Sequence, residues 1–247
     1  MYNFFVGKDN KKGERYFISG DDYNHIKNVL RMSEGDNFLV SCDGVSDLCK
    51  IAAFADGTVI ADIEKQNYQN TNLPVKIHLF QGLPKSDKFE FIVQKAVELG
   101  CYGITPVEMK RSVVKLDEKK KKSRLERWQA ISAAAAKQSK RSFIPQIGEV
   151  LTYKQMLLKA ADMDIFLVPY ECADGMESTK RALSQIKSGM NVGILIGPEG
   201  GFETAEIEAA KESGGKIISL GSRILRCETA AVTAAAMCML YSEMNLK

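Results

Sequence analysis

Ile194-Leu195-Ile196-Gly197-Pro198-Glu199-Gly200-Gly201-Phe202 carries an apolar strand into a glycine-bearing turn. Farther along, Leu220-Gly221-Ser222-Arg223-Ile224-Leu225-Arg226-Cys227-Glu228-Thr229-Ala230-Ala231 repeats the arrangement and then passes into a helical pattern. Turns of this kind at successive strand ends are what an open α/β sheet uses to hold a small ligand. Glycine lets the backbone take positive φ and approach a ligand closely. Neither stretch is a Walker A loop, because no Gly-Lys-Ser/Thr follows, and neither is G-x-G-x-x-G. Taken alone, such a turn is more often a plain strand–helix connection. Arg223 and Arg226 add a second signal, because arginines just past a strand end offer a fork of donors to an anionic ligand.

Working outward, the chain from Pro74 onward alternates strands and helices. Strands are expected at Val75–Phe80, Gly103–Val107, Ile165–Pro169, Val192–Ile196 and Lys216–Leu220. Helices are expected at Ser86–Leu99 with Ser86 as N-cap, from a Ser123-x-x-Glu126 capping box to Lys140, at Glu177–Ile186, at Thr204–Ser213 and at Arg226–Met244. This rhythm implies a mostly parallel, buried sheet. Residues 1 to about 72 read differently. Tyr16–Ser19, Asn37–Ser41 and Thr58–Ile63 are short strands punctuated by Gly20-Asp21, Asp43-Gly44 and Asp56-Gly57, with one helix over Asp21–Leu30, as in a small barrel. The polar stretch Gln66–Pro74 reads as a linker, giving domains of 1–72 and 73–247.

Composition narrows the function classes. The 247 residues include 45% hydrophobic and 26% charged residues, ordinary for a soluble globular protein. No apolar run has the length of a membrane span and the N-terminus lacks a signal-peptide pattern, so a cytoplasmic location is expected. Cys42, Cys49, Cys101, Cys172, Cys227 and Cys238 are scattered without C-x-x-C, and His25 and His78 are the two histidines. Disulfide frameworks, metal sites and histidine triads are therefore poorly supplied. Between Lys110 and Arg141 twelve basic residues face three acidic ones. That local balance of +9 within a chain of net charge +3 leaves −6 elsewhere, which points to a polyanion partner.

Further segments complete a pattern: His25-Ile26-Lys27-Asn28-Val29-Leu30-Arg31-Met32 with Glu34-Gly35-Asp36, then Gly82-Leu83-Pro84-Lys85 and Gln94-Lys95-Ala96-Val97-Glu98-Leu99-Gly100. Arg111-Ser112-Val113-Val114-Lys115, Arg127-Trp128-Gln129-Ala130-Ile131, and Gln138-Ser139 with Arg141 and Pro145 follow. In this order, and together with the two glycine turns, they resemble the RsmE family of 16S ribosomal RNA uracil-N3 methyltransferases in the SPOUT superfamily. The resemblance implies an α/β fold, with a PUA-like RNA-binding β-barrel preceding a trefoil-knotted SPOUT domain. It also implies a homodimer acting on 16S rRNA in the assembled small ribosomal subunit, with S-adenosylmethionine as methyl donor.

Carried over by position, the cofactor would lie among Val168, Pro169, Tyr170 and Glu171, among Ile196, Gly197, Pro198, Glu199, Gly200 and Gly201, and among Ser219, Leu220, Gly221, Ile224, Leu225 and Arg226. Methylating uracil at N3 requires loss of the N3 proton. Arg226, with Arg223 beside it, is the preferred stabiliser of the resulting anion, and Glu199 or Glu228 is the alternative as general base. RNA contacts are expected from Arg15, Arg31, Lys85, Lys95, Arg111, Lys115, Arg127, Gln138 and Arg141. The sequence departs from the family pattern at Asn3, where arginine is usual, and at Ser222 and Cys227, where proline and threonine are frequent. Competing readings are a ribose methyltransferase of the same superfamily and a non-catalytic RNA-binding assembly factor.

Overall fold

The computed structural model describes residues 1–68, 70–171 and 175–246, without the side chain of Ser86. The chain divides into two compact units, one of Met1–Asn72 with Ala136–Ile144 and one of Leu73–Ala135 with Pro145–Lys247.

The first unit is a curled, mixed six-stranded sheet. Its strands are β1 (Asn3–Phe5), β2 (Lys11–Lys12), β3 (Arg15–Ser19), β4 (Asn37–Cys42), β5 (Val45–Ala55) and β6 (Thr58–Lys65), in the order β1-β4-β5-β6-β3-β2. β1 runs parallel to β4, and the other pairings are antiparallel. The hairpin turns carry positive φ at Asp43-Gly44 and Asp56-Gly57, as tight hairpin loops demand. Register shifts along β5 mark bulges that bend the strand. The expected helix is present as α1 (Asp21–Asn24), continued by a π-helical turn over His25–Val29. Phe4, Tyr16, Ile18, Ile26, Phe38, Val40 and Val59 form the core.

One carboxylate is buried in this unit. Asp47 accepts from Tyr16 Oη at 2.8 Å, Lys11 Nζ at 3.0 Å and the Asn67 amide at 2.9 Å. Burial alone would raise its pKa, but these partners outweigh that and hold it below the ordinary carboxylate value. The segment Ala136–Ile144 clusters with this unit, a grouping for which a boundary at residue 72 does not provide. Asn3 Nδ2 donates to the Arg141 carbonyl at 2.9 Å, and Ser41 Oγ donates to Asn3 Oδ1 at 2.8 Å.

The second unit holds a parallel sheet of β7 (Lys76–Gly82), β8 (Gly103–Glu108), β9 (Gln146–Ile147), β10 (Leu151–Thr152), β11 (Ile165–Pro169), β12 (Asn191–Ile196) and β13 (Lys216–Ile218). The order is β10-β8-β7-β12-β11-β13, with β9 also on β8. β11 and most of β12 are buried continuously, as expected for strands covered on both faces. The helices are α2 (Ser86–Glu98), α3 (Glu118–Gln138), α4 (Tyr153–Ala160), α5 (Met176–Leu183), α6 (Thr204–Glu212) and α7 (Cys227–Asn245). α7 packs on α2 and on the central strands β7 and β12.

Several expectations shift. Lys85 holds the N-cap position of α2, and the Ser86 side chain lies outside the described residues. α3 begins upstream of Ser123, because Asp117 Oδ1 accepts the Lys120 amide at 2.8 Å and starts the helix there. α4 was not expected, although Thr152 and Gln155 form a capping box at its start. Cys42, Cys49, Cys101, Cys227 and Cys238 are buried free thiols, and Cys172 lies outside the described residues. No helix among the described residues is long and apolar enough to cross a membrane.

Candidate active site

The loops that follow β11, β12 and β13 meet at the C-terminal edge of the parallel sheet, where open α/β folds place their ligands. They enclose a cavity of about 370 Å³. Pro169–Glu171 form one wall, Ile196–Phe202 a second, and Leu220–Gly221 with Arg223–Cys227 a third, closed by Lys88, Arg111 and Ala230. Almost all of the proposed cofactor positions are therefore brought together. Val168 and Ser219 are not on the surface of the cavity. Val168 is buried in the sheet core beneath it. Ser219 shapes the third loop instead: its amide and carbonyl both bond Thr179 Oγ1, and its hydroxyl accepts the Gly221 amide at 3.1 Å.

The glycines have a physical reason. A Cβ on Gly200 would stand 2.8 Å from Arg111 Cβ and 3.0 Å from the Arg111 carbonyl oxygen, so this loop is packed backbone against backbone. Gly201 takes φ +69 and Gly221 φ +106, in the left-handed region that suits glycine.

The charged groups fall into two sets. Lys88, on the first turn of α2, places Nζ 3.2 Å from Glu199 Oε1 and 3.4 Å from Glu228 Oε2. Glu199 also accepts the Lys85 amide at 3.1 Å, and Cys227 Sγ donates to Glu228 Oε2 at 3.2 Å. Burial pushes both carboxyls upward, but backbone amides and Lys88, with the Cys227 thiol for Glu228, outweigh it, so both lie below the ordinary value. Burial and the neighbouring Glu228 push the Cys227 thiol up to about 12, which keeps it protonated and unreactive. The second set is Arg223 and Arg226. Both are exposed and line the cavity, Arg226 as the N-cap residue of α7. Neither makes an ion pair among the described residues. Ile224 between them is 86% exposed.

The residues expected on an RNA surface are placed unevenly. Arg111 lines the cavity and donates to the Gly200 carbonyl at 3.2 Å. Arg15 pairs with Asp62, Lys95 with Glu98 and Arg127 with Glu90. Arg31 takes positive φ, 54°. Lys85, Lys115 and Gln138 are at the surface. Arg141 is 3% exposed and stacks over the Phe143 ring, so its side chain is not on the surface. Asn3 is buried within the hydrogen bonds already described. Lys88, Phe202, Cys227 and Ala230 are cavity residues that sequence reasoning did not select. For Lys88 no local signal could have found it, since both its partners come from distant loops.

Sequence comparison gives this geometry a family. A family profile described as an RNA methyltransferase domain matches residues 71–239, and one described as an RNA methyltransferase PUA domain matches residues 18–64. Ribosomal RNA small subunit methyltransferase E of Bacillus subtilis is 37% identical over 95% of this chain and 94% of its own length. The chain belongs to the ribosomal RNA small subunit methyltransferase E family. The Mesomycoplasma hyopneumoniae methyltransferase E is 35% identical over 97% of this chain and 99% of its own. Among solved structures, the Neisseria gonorrhoeae methyltransferase E bound to S-adenosyl methionine aligns with a TM-score of 0.80 and 28% identity, covering 97% of each chain. Members of the family thus share both parts of this fold.

Proposed function

We propose that this protein is an S-adenosylmethionine-dependent methyltransferase of 16S ribosomal RNA, acting at N3 of a uridine in the assembled small subunit. The observation that carries the proposal is the convergence of three strand-end loops on one cavity lined by Arg111, Arg223 and Arg226, none of which makes an ion pair among the described residues. The cavity suits the cofactor. Its volume falls in the range of small-molecule sites, its walls offer backbone groups from glycine-rich turns, and apolar surface from Ile196, Phe202 and Leu225 adjoins carboxylates. Pro169–Glu171, Ile196–Gly201 and Leu220–Arg226 would hold it, with Val168 and Ser219 supporting the loops from behind. When bound, S-adenosylmethionine supplies an electrophilic methyl group on a sulfonium centre.

The protein's own task is to make uracil N3 nucleophilic. Its proton must leave, and negative charge then spreads over the ring. A preorganised guanidinium aimed at that charge lowers the barrier without reorganising as the reaction proceeds. Arg226 takes this role, with Arg223 beside it. Glu199 and Glu228 are the weaker choice as general base, because both are held ionised by Lys88 and their lowered pKa makes them poor proton acceptors. Fixing the base in line with the methyl group supplies the remaining advantage.

RNA would be held by the PUA-like barrel of residues 1–72, through Arg15 and Arg31, and by the basic surface from Lys110 through α3. A homodimer fits the apolar surface left on α7, where Leu240 is 48% and Met244 73% exposed. The SPOUT trefoil knot is part of the same reading. Its support is that β13 lies at the sheet edge, yet α7, which follows it, packs on the central strands β7 and β12. The substrate places the enzyme in the cytoplasm.

The test is labelled methyl transfer from S-adenosylmethionine to small subunits from cells lacking this activity, with the product nucleoside identified by mass spectrometry. N3-methyluridine is expected. A ribose-methylated nucleoside overturns the assigned position, and absence of transfer despite cofactor binding overturns the enzymatic reading.

A further inference from the structure

Glu199 on the cavity wall and Glu228 in the first turn of α7 bring two negative charges together, and a single ammonium lies between them. Lys88 reaches that point from a third element, α2, at 3.2 Å from one carboxylate and 3.4 Å from the other. Glu199 also accepts the Lys85 amide and Glu228 the Cys227 thiol, and each accepts its own backbone amide. Arg226 lies two residues before Glu228 and lines the same cavity as Glu199. Among the described residues it pairs with neither.

This is an unusual allocation. A long, exposed guanidinium beside two carboxylates ordinarily closes on one of them, since a bidentate arginine–carboxylate pair is the stronger contact. Here the carboxylates are already satisfied. Their oxygens face Lys88 and backbone amides, and Glu199 and Glu228 are only 24% and 18% exposed. Among the described residues Arg226 is consequently left without an ion pair.

We propose that Lys88 is a positioning residue, which occupies both Glu199 and Glu228 and thereby leaves Arg226 free for the anionic base. The inference rests on the proposed reaction, in which Arg226 meets that base. Lys88 itself need not touch substrate. Without its ammonium both carboxylates lose their side-chain counter-ion, and Arg226, two residues before Glu228 and on the same cavity as Glu199, is drawn onto one of them.

The test compares wild type with Lys88→Arg and Lys88→Met. Methyl transfer to unmethylated small subunits and S-adenosylmethionine binding are measured for each. Lys88→Met is expected to lower kcat by about tenfold or more while changing cofactor Kd less than about threefold. Lys88→Arg retains most of the rate. An unchanged rate in Lys88→Met, or a loss as large in Lys88→Arg as in Lys88→Met, overturns the proposal.

Carboxyl titrations followed by NMR on the protein alone give a readout that needs no substrate. In Lys88→Met, Glu199 and Glu228 should titrate at higher pH than in wild type, and in Lys88→Arg they should not. Titrations that stay in place overturn the clamp. If wild type transfers no methyl group, the proposed reaction falls, and these titrations still decide whether Lys88 holds the two carboxylates.

Discussion

The cavity and the basic segment Lys110–Arg141 treat positive charge in opposite ways. The segment carries twelve basic residues, yet much of that charge is engaged within the protein. Lys120 pairs with Asp117, Lys121 with Glu108 and Glu118, Arg124 and Arg127 with Glu90, and Lys137 with Asp22, while Arg141 is buried. The cavity has fewer basic residues, but Arg223 and Arg226 are unpaired among the described residues. Counting charge along a sequence therefore overstates what a segment can offer to RNA. It also understates what a short loop can offer to one anionic group. Exposed ion pairs are weak and can reopen to phosphate, so the segment acts collectively, whereas the cavity acts through individual side chains.

The sharpest way to break this comparison is Arg226→Ala. If one unpaired guanidinium carries the charge stabilisation, kcat should fall by about 10²–10³, with cofactor affinity little changed. Full methylation of small subunits by this variant would take Arg226 out of the mechanism.

Next in size is Gly200→Ala, which tests where the two regions touch. The new methyl group would meet the Arg111 backbone, which cannot give way as a flexible side chain does. A loss of about 1–3 kcal/mol in stability by chemical denaturation is expected, together with weaker cofactor binding by calorimetry. A stable variant with wild-type cofactor affinity would show that the loop yields freely.

Neutralising Lys119–Lys122 to glutamine should weaken RNA binding and make its log–log salt dependence shallower by about 2, measured by filter binding across a salt series. Arg124→Gln/Arg127→Gln, in which both arginines are engaged on Glu90, should change that slope by less than about 1. Equal slopes for the two variants would mean that internal pairing does not govern access to RNA.

The smallest effect concerns acid stability. The folded-state pKa values of Glu199 and Glu228 are depressed, so their contribution is present above the ordinary value of 4.5 and is lost as pH falls through the depressed values. The difference in Tm between wild type and Glu199→Gln should be full at pH 7 and shrink below pH 4.5. A difference that is constant with pH would separate Glu199 from this linkage.

Local features were legible in the sequence, and tertiary ones were not. The strand at Ile165–Pro169, the helix after Arg226 and both glycine turns could be read because an apolar run, a glycine and a change of period lie side by side. β5 is not legible because Ser46, Asp47 and Lys50 interrupt its apolar pattern, and Asp47 makes sense only beside Tyr16 and Lys11. The start of α3 was misplaced because Ser123-x-x-Glu126 fits a capping box, while Asp117, with lysines after it, begins the helix. The arginines of the site could be proposed from their position after a strand. Lys88 could not, since its role exists only where three separate elements converge. Arg141 shows the reverse error, a basic residue in a basic segment that folding removes from solvent.

The grouping of Ala136–Ile144 with the first unit bears on how the protein is made. Asn3 and Ser41 are synthesised early, but the Arg141 carbonyl that Asn3 bonds appears only much later in translation. The N-terminal sheet can assemble its hairpins and its Asp47 hydrogen bonds as it leaves the ribosome, yet the bond from Asn3 waits until Arg141 has emerged. A chain released after residue 72 would keep every strand of that sheet and still leave the Asn3 amide without the Arg141 carbonyl.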